Sequence, residues 1–178
     1  LNLFSLLIVA SSGAFFALKT KSINLGGEGQ VYLGGFITAI ILGNFANQFD
    51  MGIFGKSCLL IFALVSAFAS GMILMLISIL LKKLSKIDVL LSSFLVSSAV
   101  IPILNFLIGG PFRDKAENLL ATESISQFFR LPVILKPSKL NISLILILVC
   151  FGVGFYFLYH TKKGKAIVFF KKIKYNVT

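Results

Sequence analysis

The sequence predicts an all-α, polytopic membrane protein: a single transmembrane domain over residues 1–178 with about five membrane-spanning helices. Three observations carry that prediction. Hydrophobic residues make up 57% of the chain and charged residues only 13%, when a soluble domain carries about a quarter charged residues; the mean hydropathy is +0.98. Apolar runs of membrane length recur along the chain with short polar breaks between them. The formal net charge of +11 lies mostly between and after those runs, where it reads as membrane topology and lipid-headgroup contact. No surface combining aromatic and basic residues points to nucleic acid.

The first span is Leu3–Leu18, uncharged and just long enough for a thin hydrocarbon layer, with Lys19 and Lys21 following at once. The stretch from Ser22 to Gln30 then interrupts the apolar pattern with Asn24, Gly26, Gly27, Glu28, Gly29 and Gln30. Glycine frees the backbone to turn, and an unpaired carboxylate in hydrocarbon is costly. Such a segment belongs against other protein or beside water. Both a plain inter-helix turn and the edge of a solute path satisfy that condition.

The second span is Val31–Phe49. Asp50 and Lys56 bracket a short turn with Gly52 and Gly55. The third and strongest span is Ser57–Leu81, closed by Lys82, Lys83 and Lys86. The fourth is Val89–Ile108, with Pro102 inside it and Gly109-Gly110-Pro111 as a firm stop. Pro102 removes a backbone donor; Asn105, one turn later, either answers a freed carbonyl or faces a cavity. Residues 109–140 form a mixed-charge loop with room for a short helix, broken by Pro132 and Pro137. The fifth span is Asn141–Tyr159, capped by Asn141 or Ser138. A basic tail follows, residues 160–178.

If the spans alternate, Lys19, Lys21, Lys82, Lys83, Lys86 and the tail share one side. The positive-inside rule makes that side cytoplasmic, and places Leu1 and the long loop outside. Small residues recur four apart: Ser66/Ser70 and Ala67/Gly71 on the third span, Ser93/Ser97 on the fourth. Close helix packing is the favoured reading, and a hydroxyl-lined conduit the second.

Catalytic machinery is not legible. No Gly-x-x-x-x-Gly-Lys-Ser/Thr phosphate cradle occurs, the Gly26–Gly29 spacing is not a dinucleotide fingerprint, and no Ser/His/Asp set shares a location. Cys58 and Cys150 fall in apolar runs and read as small buried residues rather than a disulfide or metal pair. His160 reads as an interface residue. The chain is therefore expected to be neither an enzyme nor a metal or cofactor carrier.

Ser22-Ile23-Asn24-Leu25-Gly26-Gly27-Glu28-Gly29-Gln30-Val31-Tyr32-Leu33-Gly34-Gly35-Phe36 resembles the N-I-G-x-E-G-Q-x-x-x-G-x-F stretch of bacterial ABC importer permeases. The branch is that for nucleosides and simple sugars, related to the ribose and branched-chain amino-acid permeases. Gly110-Pro111-Phe112-Arg113-Asp114, Leu119, Thr122 and Arg130-Leu131-Pro132 resemble that branch's external loop. Thr161-Lys162-Lys163-Gly164 is similar to the T-x-x-G that opens its cytoplasmic coupling segment. The Arg, Gly and Asn that follow in the family are missing here, as is its fourth-span L-N-Y, replaced near Leu95-Val96-Ser97.

The resemblance implies about the first half of an ABC importer permease fold in a bacterial cytoplasmic (inner) membrane. It implies a second permease subunit, a separate ATP-binding subunit that uses the ATP, and an external substrate-binding protein. Asn24, Glu28 and Gln30 would line the path or fix its gating turn, and Gly26, Gly27 and Gly29 would allow close backbone approach. A ligand or a helix-end amide would pair with Glu28. Thr161 and Gly164 would begin the ATPase-facing surface. The alternative implied by the missing segments is a truncated or degenerate remnant that acts as a membrane scaffold or assembly protein without transport.

Overall fold

The computed structural model describes residues 7–8, 11, 13–15, 17–18, 24–45, 52–115, 120–130, 133–135, 140–162 and 164–165. The chain divides into two compact units: Asn24–Arg130, and Leu1–Ile23 together with Leu131–Thr178.

The larger unit is built on three helices. Helix α1 spans Gly27–Ile40 and passes directly into a π-helical turn over Ile41–Phe45. Helix α2 spans Ile53–Ser85 and α3 spans Val89–Gly109. At 1.5 Å per residue, α3 is about 31 Å long and α2 about 50 Å. Both are long and apolar enough to cross a membrane, whose hydrocarbon layer is about 30 Å thick.

Many buried positions are small and most of the large side chains point outward, although Phe36, Leu42, Leu74 and Leu104 are buried. Ala63, Ser70, Ser78, Ser92, Ser93 and Ser97 are buried, whereas Ile61, Phe62, Leu64, Val65, Phe68, Ile73 and Leu76 are exposed. That inverts the pattern of a water-soluble core. Lipid tails are as apolar as leucine, so helices in a bilayer gain by close backbone approach rather than by hiding large residues. Accordingly Gly34 of α1 lies against Ala67 of α2, where a Cβ would stand 3.6 Å from the Ala67 Cβ. Between α2 and α3, the Ser92 hydroxyl donates to the Ser78 carbonyl at 3.0 Å. A conventional apolar cluster forms where Ile41, Leu42 and Ala63 pack with Ile125 and Phe129.

Several element ends differ from expectation. Helix α1 starts at Gly27 rather than Val31, so the end of the glycine-rich stretch, residues 27–30, is helix, for a reason given below. Helix α2 overruns its expected span at both ends, which places Gly55 and Lys56 in its first turn instead of a loop. It stops where Lys86 turns left-handed, φ 57°; Lys82 and Lys83 in its last turn complement the helix dipole. Helix α3 runs through Pro102 and ends at Gly109, beside the expected glycine–proline stop. Beyond it Phe112 packs edge-on against Phe36 of α1, ring centroids 5.6 Å apart. The short helix expected in the loop is a single 3-10 turn, Gln127–Phe129. The expected positions 46–51 lie outside the described residues.

In the other unit, α4 spans Ser143–His160. It is preceded by an antiparallel pair of short strands, β1 (Val133–Leu135) and β2 (Leu140–Asn141), that the sequence did not suggest. Helix α4 has Ile142 at its N-cap and no side-chain cap; Asn141 is strand, and Ser138 lies outside the described residues. The described residues between 7 and 18 are helical, and Phe15 meets Phe151 with ring centroids 6.3 Å apart. Residues 1–6, Lys19, Lys21, Ser22, Pro132, Pro137 and the basic tail from 166 are likewise outside the described set. Cys58 and Cys150 are free thiols as expected, but exposed rather than buried, because apolar positions on these helices face outward.

The architecture is thus that of an all-α membrane protein.

Candidate functional site

The candidate site is the start of α1. Asn24 Oδ1 accepts the Gly26 N–H at 2.8 Å, and Asn24 Nδ2 donates to Gln30 Oε1 at 3.2 Å. This side-chain clasp turns the chain into the helix. Gly26 is the N-cap and has no side chain to satisfy the helix's first donors. Helix α3 supplies one hydroxyl to such a donor and another to the residue before the cap. The Leu25 N–H donates to Ser93 Oγ at 3.1 Å, and the Gly29 N–H donates to Ser97 Oγ at 2.8 Å. Ser93 and Ser97 lie one helical turn apart on one face of α3, and their donors are likewise four residues apart.

Two glycines make that approach possible. A Cβ on Gly26 would stand 2.7 Å from the Ser93 carbonyl oxygen, and one on Gly29 would stand 2.6 Å from Ser97 Oγ and 2.9 Å from Ser97 Cα. Gly27 differs: a Cβ there would meet nothing within 4 Å. So Gly26 and Gly29 provide the close backbone approach, and Gly27 belongs to the open side.

The open side carries Glu28. Gly27, Glu28, Val31 and Gly35 are exposed, and the last three recur at helical spacing as one stripe. The Glu28 carboxylate has no hydrogen bond or ion pair among the described residues. Its depth follows from its neighbours. Gly26 meets Ser93 and Gly29 meets Ser97, so α1 and α3 run parallel. Ser97 lies eight residues beyond Val89, about 12 Å along the α3 axis. Lys82, Lys83 and Asp88 mark the end from which that distance is counted. Glu28 therefore sits well inside the length that α3 spans.

Farther along the same side, the Tyr32 hydroxyl donates to Asn105 Oδ1 at 2.5 Å. Asn105 lies about 24 Å along α3 by the same rise. It thus answers a side chain of α1, where the sequence offered only a freed carbonyl or a cavity. Tyr32 was not singled out by sequence; its place one turn after Glu28 was the available signal.

In the other unit, Thr161 ends α4 with extended backbone, φ −90° and ψ 149°. Its hydroxyl donates to the Phe157 carbonyl at 2.6 Å and accepts the Gly164 N–H at 3.0 Å. Thr161 thereby closes one helix and N-caps the next helical turn. Gly164 is buried in that corner: a Cβ would run into the Phe157 carbonyl oxygen and stand 2.7 Å from Leu158 Cα. Of the loop motif, Arg113 and Arg130 are exposed and the Asp114 N–H donates to the Ala121 carbonyl at 2.8 Å; Leu119, Leu131 and Pro132 lie outside the described residues. No group of three or more His, Cys, Asp or Glu that could hold a metal comes together among the described residues.

Residues 1–172 match the family described as the permease component of branched-chain amino acid transport systems. The chain is also similar to the probable riboflavin import permease protein RfuC of Treponema pallidum (strain Nichols), with 38% identity over 126 residues. That alignment takes in 70% of this chain and 31% of the relative, so the chain spans about a third of that protein's length. No solved structure matches.

Proposed function

The chain belongs to the ABC importer permease family described as the permease component of branched-chain amino acid transport systems, and from that premise we propose that it forms part of the translocation path for nucleosides, simple sugars or solutes of similar build. The name of the T. pallidum relative supports this solute class: a flavin joins a heteroaromatic ring to a polyol chain, as a nucleoside joins one to a sugar. In this reading the chain works with a second permease subunit, a separate ATP-binding subunit and an external substrate-binding protein. It lies as a multi-pass protein in the bacterial inner membrane, in contact with lipid. Asn24, Gly26, Gly27, Glu28, Gly29 and Gln30 form the path element, and Thr161 and Gly164 begin the ATPase-facing corner.

The single observation that carries the reading is the Glu28 carboxylate on an open stripe of α1, well inside the length of α3, a helix long and apolar enough to cross a membrane. An ionised side chain left in lipid at mid-helix costs about 2.5–3.5 kcal/mol on insertion scales. Helix α1 could have carried glutamine or alanine there without changing its contacts to α2 or α3. The charge is supportable where the stripe faces water, a solute or a polar partner surface.

The test is uptake of labelled uridine, riboflavin and ribose in the native host, in a strain deleted for this gene and in that strain carrying wild type or Glu28→Gln. Loss of uptake of at least one probe on deletion, rescue by wild type, and at least a tenfold deficit in Glu28→Gln at equal protein level are expected. Unchanged uptake in the deletion strain, with no ATPase co-purifying, would overturn the proposal and leave the scaffold reading.

A further inference from the structure

We propose that Tyr32 and Asn105 form the contact point for a planar heteroaromatic ring on the solute, rather than for its sugar or polyol part. The proposal rests on the permeation reading above and adds a solute class and two residues to it.

Polar side chains between apolar membrane helices are functional-site candidates because each is costly without a partner. Tyr32 and Asn105 partner one another, yet incompletely. The Tyr32 hydroxyl gives its one proton to Asn105 Oδ1, which leaves the phenolic oxygen as an acceptor. The Asn105 amide keeps two N–H donors with no acceptor among the described residues. Asn105 is exposed and Tyr32 half-buried, so the amide is not sealed between the helices.

A third group lies on the same face. Pro102 has no N–H, so the Ser98 carbonyl lacks its usual helical donor. Ser98, Pro102 and Asn105 are all exposed and fall on one stripe of α3. The stripe therefore offers donors at Asn105 and acceptors at the Tyr32 oxygen and the Ser98 carbonyl, beside the Tyr32 ring. Its exposed neighbours Ile103 and Phe106 are apolar.

That inventory fits one chemistry better than another. A sugar carries hydroxyls around its whole rim, and each one drawn from water without a partner costs about 1–3 kcal/mol by protein mutational data. Two side chains and one carbonyl cannot answer them all. A planar heteroaromatic ring concentrates its donors and acceptors on one or two edges and presents apolar faces. Those faces stack on an aromatic side chain with little regard to ring identity. The Asn105 N–H groups would meet a ring carbonyl or ring nitrogen, and the Tyr32 ring would take a face.

The experiment compares wild type with Tyr32→Phe, Tyr32→Leu and Asn105→Leu in the whole transport system of the native host, at matched protein level. Uptake of labelled uridine and riboflavin, which carry rings, is measured against ribose, which does not. Tyr32→Leu and Asn105→Leu are expected to lower uridine or riboflavin uptake about tenfold at sub-saturating concentration. Tyr32→Phe, which keeps the ring and loses the bond to Asn105, should stay within about threefold of wild type on the same scale. Any ribose uptake should be spared.

Equal damage to every probe by Tyr32→Phe and Tyr32→Leu would show that the pair only holds α1 to α3, and would overturn the proposal. So would normal ring uptake in Tyr32→Leu, or a wild type that takes up ribose alone. In each of those outcomes the permeation reading survives. A wild type and deletion strain that behave alike on all three probes overturn the permeation reading itself, and this proposal with it.

Discussion

Replacing Gly29 with alanine tests the contact on which the start of α1 depends. The added Cβ would lie 2.6 Å from Ser97 Oγ and 2.9 Å from Ser97 Cα. A rotamer change can move the hydroxyl, but Cα is backbone, so the two helices must part. Overpacking of this kind costs about 1–3 kcal/mol. Separation also stretches the Gly29 N–H···Ser97 Oγ bond, now 2.8 Å; weakening it costs about 0.5–1.5 kcal/mol more. Against this, alanine gains about 1 kcal/mol over glycine in helix propensity. The net expectation is a loss of roughly 1–3 kcal/mol, from these same terms. Gly27→Ala is the matched control: the same propensity gain applies, and its Cβ meets nothing within 4 Å. Thermal unfolding of the detergent-solubilised chain should place Gly29→Ala roughly 4–16 °C below Gly27→Ala, taking about 2–4 °C per kcal/mol for a chain of this size. A Gly29→Ala protein as stable as Gly27→Ala would refute the close approach of α1 to α3.

Ser97→Ala should destabilise the chain by about 1–3 kcal/mol in the same thermal assay, because it leaves the buried Gly29 N–H without an acceptor; an unchanged melting point would show that another group takes that bond. Gly164→Val should abolish uptake and co-purification of an ATPase while the chain still inserts, since the side chain cannot fit against Phe157 and Leu158. Normal co-purification would separate this corner from the ATPase contact. In a background with Cys58→Ser and Cys150→Ser, a hydrophilic thiol reagent should label Glu28→Cys or Gly35→Cys at least tenfold faster than Leu64→Cys, an exposed position on α2. Equal rates would show that the α1 stripe faces lipid.

The helical membrane class was legible because it rests on composition and on the length of apolar runs, and neither needs tertiary knowledge. The stop of α3 at Gly109 was legible for a similar reason, since glycine and proline act locally. The start of α1 was not. Three glycines and an asparagine argue against helix by propensity, at about 1 kcal/mol per glycine. What offsets that is Ser93 and Ser97, 68 residues away from the N–H groups they accept. The spacing of those serines was visible as a packing face, but nothing local says which backbone donors they meet. The exposed cysteines were misread because an apolar neighbourhood implies burial only in water-soluble proteins. The Tyr32–Asn105 pair, like the serine caps, joins positions far apart in the chain, and tyrosine in an apolar run carries no mark of its partner.

The magnitudes at Glu28 decide which surroundings its stripe needs. The residue lies in the first turn of α1, where the positive end of the helix dipole favours a carboxylate. Such an interaction is worth about 0.3–1 kcal/mol at an exposed site and about 2 kcal/mol in a favourable, partly buried one. Leaving an ionised side chain in lipid at mid-helix costs about 2.5–3.5 kcal/mol. The dipole therefore covers part of the cost and not the whole. The rest cannot come from α2 or α3, since both pack on the opposite face of α1, through Gly34 and Ala67 on one side and Gly29 and Ser97 on the other. Among the described residues of this three-helix unit nothing supplies the rest. In the path reading proposed above, a helix that begins partway along α3, with its backbone capped from one side and its carboxylate on the other, would present that open side to a polar solute.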